Sequence, residues 1–128
     1  GNVKPMMRRL DEYRDKLGVN LRFQSYWDVY DPALVQKHMA QGRLPGHADE
    51  YETSTMLYLA PERVQTEAID NESAALATRA KGEALVAPAV EGVTHLLRQM
   101  IAGQEIDLPT VTFTPEGKRN LVTDEPID

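Results

Sequence analysis

Apolar residues at Val3, Met6, Met7, Leu10, Tyr13 and Leu17 fall on one side of a helical wheel, and Arg8, Arg9, Asp11, Glu12, Arg14, Asp15 and Lys16 take the other. The spacing predicts a helix over 3–17. Pro5 lies in its first turn, where a missing N–H costs little, and Gly18 is placed to end it. From Asn20 to Val29 the period changes to two. Leu21, Phe23, Ser25, Trp27 and Val29 alternate with Arg22, Gln24, Tyr26 and Asp28, which predicts a strand. A helix followed closely by a strand is half of an α/β unit.

Asp31-Pro32 then opens a short helix, with Asp31 as N-cap and Pro32 at the first helical position, reaching about Met39. Gly42, Pro45 and Gly46 mark a loop over 41–46. A further helix runs from about Ala48 to Pro61, and Val64 to Ile69 reads as a short strand or an extended connection. Asp70 to Ser73 offers caps for a long helix that reaches Ala102-Gly103, with Leu76, Ala80, Leu85, Val90, Val93, Leu96, Leu97, Met100 and Ile101 among its apolar positions. Pro88 deletes one backbone bond within it and predicts a kink. Gly82 and the neighbouring alanines permit close packing against another element. From Gln104 onward the chain is rich in Pro, Thr, Asp and Glu, and reads as an extended arm (104–128) with one short strand at Thr110 to Thr114.

At 128 residues the chain can bury one core. A hydrophobic share of 41% and a charged share of 27% describe an ordinary globular composition. The formal net charge of -6 argues against nucleic acid or an anionic membrane as partner, since both select for basic patches. No apolar run approaches the roughly 20 residues of a membrane span, and the polar start of the chain does not read as a signal peptide. The absence of cysteine excludes disulfides and thiolate metal sites and fits a reducing cytoplasm.

The residues best placed for chemistry are His47 and Glu52, which straddle the expected entrance of the helix that follows the loop. A neutral histidine can act as general base near neutral pH, and a carboxylate can orient it or bind a metal. The same spacing also suits a solvated helix N-terminus, where Asp49, Glu50 and Glu52 favour the positive end of the dipole. Trp27, the single tryptophan, is a core aromatic or a pocket wall at the end of a strand. Asp28 is a strand-end carboxylate or a turn former. His38 and His95 have no partner at metal-ligand spacing and read as surface histidines. A glycine-rich phosphate loop, a nucleophile elbow and a histidine pair four residues apart are all missing from the sequence.

Ser25-Tyr26-Trp27-Asp28, then Asp31-Pro32-Ala33, then His47 through Ser54 with Met56-Leu57, together resemble the second half of a creatininase-family protein in order and near spacing. Ala77 to Glu83 is similar to the family's following segment, which opens its last long helix. The resemblance covers roughly 1–103. It implies the C-terminal part of a three-layer α/β fold with few strands and a long kinked C-terminal helix. It also implies a homo-oligomer, often a hexamer in the family, and a metal-dependent hydrolase in which two Zn²⁺ or Mn²⁺ ions activate water to open a cyclic amide or related ring. On this resemblance His47 handles protons and substrate, Glu52 is the catalytic glutamate of the Glu-Thr-Ser triplet, and Trp27 lines the pocket for a small-molecule substrate.

Two departures qualify what the resemblance carries over. The family's glutamate, histidine and aspartate ligands belong to its N-terminal half, and Gly1-Asn2 resembles the end of that half's Asn-Gly-His-Gly-Gly-Asn loop. The expectation is therefore that a separate or missing N-terminal segment supplies the ligands, with Glu52 a candidate to add a carboxylate to the metal. The creatininase loop that closes over creatinine carries a tryptophan and acidic residues, whereas here it is shortened to Leu44-Pro45-Gly46, which argues against creatinine. The competing expectation is a non-catalytic binding or assembly module.

Overall fold

A computed structural model describes residues 5–6, 9–41, 47–106, 111–114, 117–120 and 125–127, and only the backbone at 11, 32, 111–114 and 117–118. Gly1-Asn2 and Leu44-Pro45-Gly46 lie outside the described residues. The described chain is predominantly helical: α1 is Leu10–Leu17, α2 Pro32–His38, α3 Glu50–Leu59 and α4 Arg79–Ile101, with short 3₁₀ turns between them. Its strands are β1, Val111–Thr114, and β2, Gly117–Asn120, which pair antiparallel with Val111 opposite Asn120 and Thr114 opposite Gly117. An isolated bridge joins Arg119 to Pro126.

This architecture overturns the expected three-layer α/β fold. The strand predicted over 20–29 does not form: 21–25 has no regular structure, and Tyr26–Val29 is a 3₁₀ turn begun by the Asp28 N–H on the Ser25 carbonyl at 3.0 Å. Alternating side chains make a strand only where a neighbouring strand accepts the backbone bonds. Among the described residues no strand pairs with 20–29. Local side chains bond one another instead, from Arg22 to Gln24 at 2.8 Å and from Gln24 to Asp28 at 3.2 Å.

The helices follow their caps. Gly18 ends α1 in the left-handed conformation (φ 62°), where a Cβ would be strained. Asp31 accepts the Ala33 N–H at 2.8 Å, and Pro32 opens α2 at a position whose N–H needs no partner. The candidate caps at 70–73 serve a different turn from the one expected. Asn71 Oδ1 accepts the Ala74 N–H at 2.7 Å and starts the 3₁₀ turn Ala74–Leu76. The long helix begins only at Arg79, with Thr78 Oγ1 accepting the Lys81 N–H at 3.2 Å. Pro88 lies within α4 as expected.

The chain divides into two compact units. One comprises Val29–His95, and the other Gly1–Asp28 with Leu96–Asp128. In the Val29–His95 unit, Val35, Met39, Tyr51 and Leu85 form a buried cluster, with Tyr30 and Leu34 packed on it. The Tyr51 hydroxyl reaches the Tyr30 hydroxyl at 3.0 Å, and Tyr30 donates onward to the Leu85 carbonyl at 3.0 Å. Both phenols are thereby satisfied inside the core, and their rings meet edge to face. Helices α3 and α4 touch at Ser54 and Gly82, both buried, where only a glycine leaves room for the facing backbone. Every residue discussed next except Tyr26 and Trp27 sits in this unit.

Candidate functional site

Asp49 is the N-cap of α3. Its carboxylate accepts the N–H groups of Tyr51 (3.1 Å) and Glu52 (3.3 Å), two of the donors that a helix start leaves orphaned. Three residues on, Glu52 turns back so that its Oε2 accepts the Ala48 N–H at 2.7 Å. The two carboxylates form a variant of the capping box in which the returning bond lands on the residue before the cap. His47 is exposed at the mouth of the helix. Since the Ala48 nitrogen belongs to the peptide that follows His47, the Glu52 carboxylate is fastened to the histidine's own backbone.

Ala48 is the one non-glycine residue with positive φ (48°) among the described residues. An alanine there carries a steric penalty of about 1–2 kcal/mol, so surrounding bonds must hold it. Its N–H is held by Glu52, and its carbonyl accepts from Asn71 Nδ2 at 3.2 Å. The acceptor half of the same amide serves Ala74 N–H, which fixes the orientation of Asn71 through its hydrogen bonds.

Glu50, next along, points inward. It is 2% exposed, and its Oε1 accepts both the Ala40 N–H (3.0 Å) and the Lys81 ammonium. Lys81 donates also to the Leu76 carbonyl at 2.7 Å. One carboxylate thus ties the end of α2, the start of α3 and the first turn of α4. Burial pushes the Glu50 carboxyl up, but Lys81 and the N–H groups of Ala40 and Gln41 together outweigh it and hold the group below the ordinary range. Its Oε2 is buried without a hydrogen-bond partner of ordinary geometry among the described residues.

Sequence spacing brought His47 and Glu52 to the same turn, and there they sit. Glu50, Lys81 and Asn71 escaped it. By sequence Glu50 reads as one of the solvated acids of a helix start, and nothing local distinguishes it, because its ammonium partner lies 31 residues away. The pattern Asp49-x-x-Glu52 was the available signal for the cap. Trp27 belongs to the other unit, where it is half-buried and meets Tyr26 edge-on at 5.1 Å. Its Nε1 is buried with no hydrogen-bond partner among the described residues, a donor suited to a ligand's carbonyl. His95 is exposed and His38 half-buried.

The fit to a dimetal centre is poor on this chain alone. Among the described residues no group of three or more His, Cys, Asp or Glu could hold a metal ion, and Glu52 Oε2 is already engaged with a backbone N–H. No described helix is long and apolar enough to cross a membrane. Set against protein-family models, characterised proteins and solved structures, the chain matches none. The comparisons add no support to the expected resemblance to the creatininase family, which rests on the quoted motifs alone.

Proposed function

We propose that this chain supplies the proton-handling part of a creatininase-type, metal-dependent hydrolase that acts on a cyclic amide or related ring. The observation that carries the proposal is one turn of chain. An exposed histidine, His47, directly precedes Ala48, whose N–H fixes the Glu52 carboxylate at 2.7 Å. In that role His47, as neutral imidazole, takes the proton from the attacking water and, as the imidazolium so formed, gives it to the leaving nitrogen. Glu52 sets the turn on which the histidine stands, and in this proposal its carboxylate is also the catalytic group, a role that a glutamine amide cannot fill. Zn²⁺ or Mn²⁺ ions would be held by ligands beyond the described residues, in an N-terminal segment of the same protein or a separate chain. The working compartment in this proposal is the cytoplasm.

Assembly into a homo-oligomer, often a hexamer in the family it resembles, is part of the same reading. Leu97 and Ile101 are 52% and 86% exposed and lie four residues apart on α4, a surface suited to a second copy. A second reading, a non-catalytic binding or assembly module, is favoured by Glu52, whose carboxylate has a sufficient structural duty as a cap.

The two readings part in an assay of the full-length protein against a panel of cyclic amides, with Zn²⁺ or Mn²⁺ supplied. Catalysis predicts turnover that falls by about 10²–10⁴-fold in His47→Ala and in Glu52→Gln. Turnover retained in both variants sinks the assigned roles, and a wild type inert with either metal leaves the binding module.

A further inference from the structure

Among the described residues, the one non-glycine position with positive φ is the residue that follows His47. Ala48 has a φ of 48°, and both of its backbone polar groups are gripped by side chains. Glu52 takes the N–H at 2.7 Å, and Asn71, 23 residues farther along, donates to the carbonyl at 3.2 Å. An alanine rests in the left-handed region only where its surroundings over-determine it, and such positions gather where geometry serves function. The direction of the chain through Ala48 sets where the preceding side chain points. The grip is itself anchored: Asn71 is tied to Ala74 at 2.7 Å, and the Glu50 N–H donates to Ser73 Oγ at 3.3 Å.

We infer that Asn71 is a positioning residue for His47, acting through Ala48: its amide and the Glu52 carboxylate clamp the left-handed peptide that aims the imidazole. This rests on the hydrolase reading for its consequence in turnover, but the clamp has a signature of its own. Asn71 does two separable jobs. Its Oδ1 caps the 3₁₀ turn at Ala74, and its Nδ2 holds Ala48. Asn71→Asp keeps the acceptor and removes the donor, so the turn survives while the clamp opens. Asn71→Ser is a second way to open it: the shorter hydroxyl can still cap the turn at Ala74 but brings no amide donor to the Ala48 carbonyl.

Both variants are compared with the full-length wild type by thermal melting, by steady-state kinetics with Mn²⁺ on the best cyclic amide, and by NMR of the imidazole C–H protons. His47→Gln assigns the His47 signal among the three histidines. The clamp predicts near-wild-type melting for both, His47 ring signals shifted in both, and kcat lowered on the order of tenfold or more with KM nearly unchanged. Ring signals unmoved in both variants overturn the inference, as does wild-type kcat in both. If the wild type turns nothing over, the hydrolase reading fails and the ring signals alone decide the clamp. Should Asn71→Asp not fold, Asn71→Ser carries the same comparison.

Discussion

Replacing Gly82 with alanine puts a methyl group where α3 and α4 touch. Its carbon would lie 2.0 Å from the Ser54 carbonyl oxygen, 2.7 Å from the carbonyl carbon and 2.9 Å from Tyr58 Cβ. The first two are backbone atoms in the middle of a helix, so no rotamer change relieves them. The helices must part by about 1.4 Å at this point to bring 2.0 Å up to the 3.4 Å of ordinary contact. Alanine is better than glycine within a helix by about 1 kcal/mol. Overpacking a close contact costs about 1–3 kcal/mol, and more where backbone must move. The separation also loosens Leu85 against Tyr51, both buried in the core beside it. The net expectation is a loss of about 2 kcal/mol or more, and for a chain of this size each kcal/mol moves Tm by about 3–5 °C. Circular dichroism at the helical band during heating reads the result. Gly18→Ala serves as a control: it meets nothing within 4 Å, so its cost is conformational alone, about 1 kcal/mol. A Gly82→Ala protein that melts at or above the wild-type temperature would refute the crossing of α3 and α4 at Ser54 and Gly82.

Other consequences can be checked separately. Lys81→Met strands the Glu50 carboxylate in the interior. With the ammonium itself partly exposed, the expected loss is about 2 kcal/mol, below the range for a fully buried pair, read by denaturant titration. Because Glu50 binds its proton less readily folded than unfolded, the pair's stabilisation is complete above the ordinary glutamate range near 4.3 and is lost as pH falls through the lowered folded value. The Tm gap between wild type and Glu50→Gln should therefore narrow as pH drops from 7 to 3, and a constant gap would contradict the assignment. Asp49→Ala removes two capping bonds and should cost about 1 kcal/mol. Glu52→Gln should be nearly neutral in stability, since a glutamine carbonyl can still accept the Ala48 N–H.

Local signals carried the reading of the sequence as far as local physics decides structure. Asp31-Pro32 fixed the start of α2 and Gly18 the end of α1, because caps and left-handed stops act within a turn. The alternation over 20–29 failed as a guide because a strand is a property of two segments, and the pattern on one does not supply the other. The long helix started late because Asn71, a good cap, was taken by the turn at Ala74–Leu76. At the candidate site His47 and Glu52 were visible from spacing. The buried role of Glu50 and the grip of Asn71 on Ala48 depend on contacts across 31 and 23 residues, which no local pattern encodes.

The most direct test of the hydrolase proposal is Mn²⁺- or Zn²⁺-dependent ring opening by the full-length protein, wild type beside Glu52→Gln and His47→Ala, with folding verified for each. The account predicts metal-dependent turnover in the wild type and a loss of about 10²–10⁴-fold in both variants at near-wild-type stability. Turnover undiminished in the two variants, or none in the wild type with either metal, would contradict it.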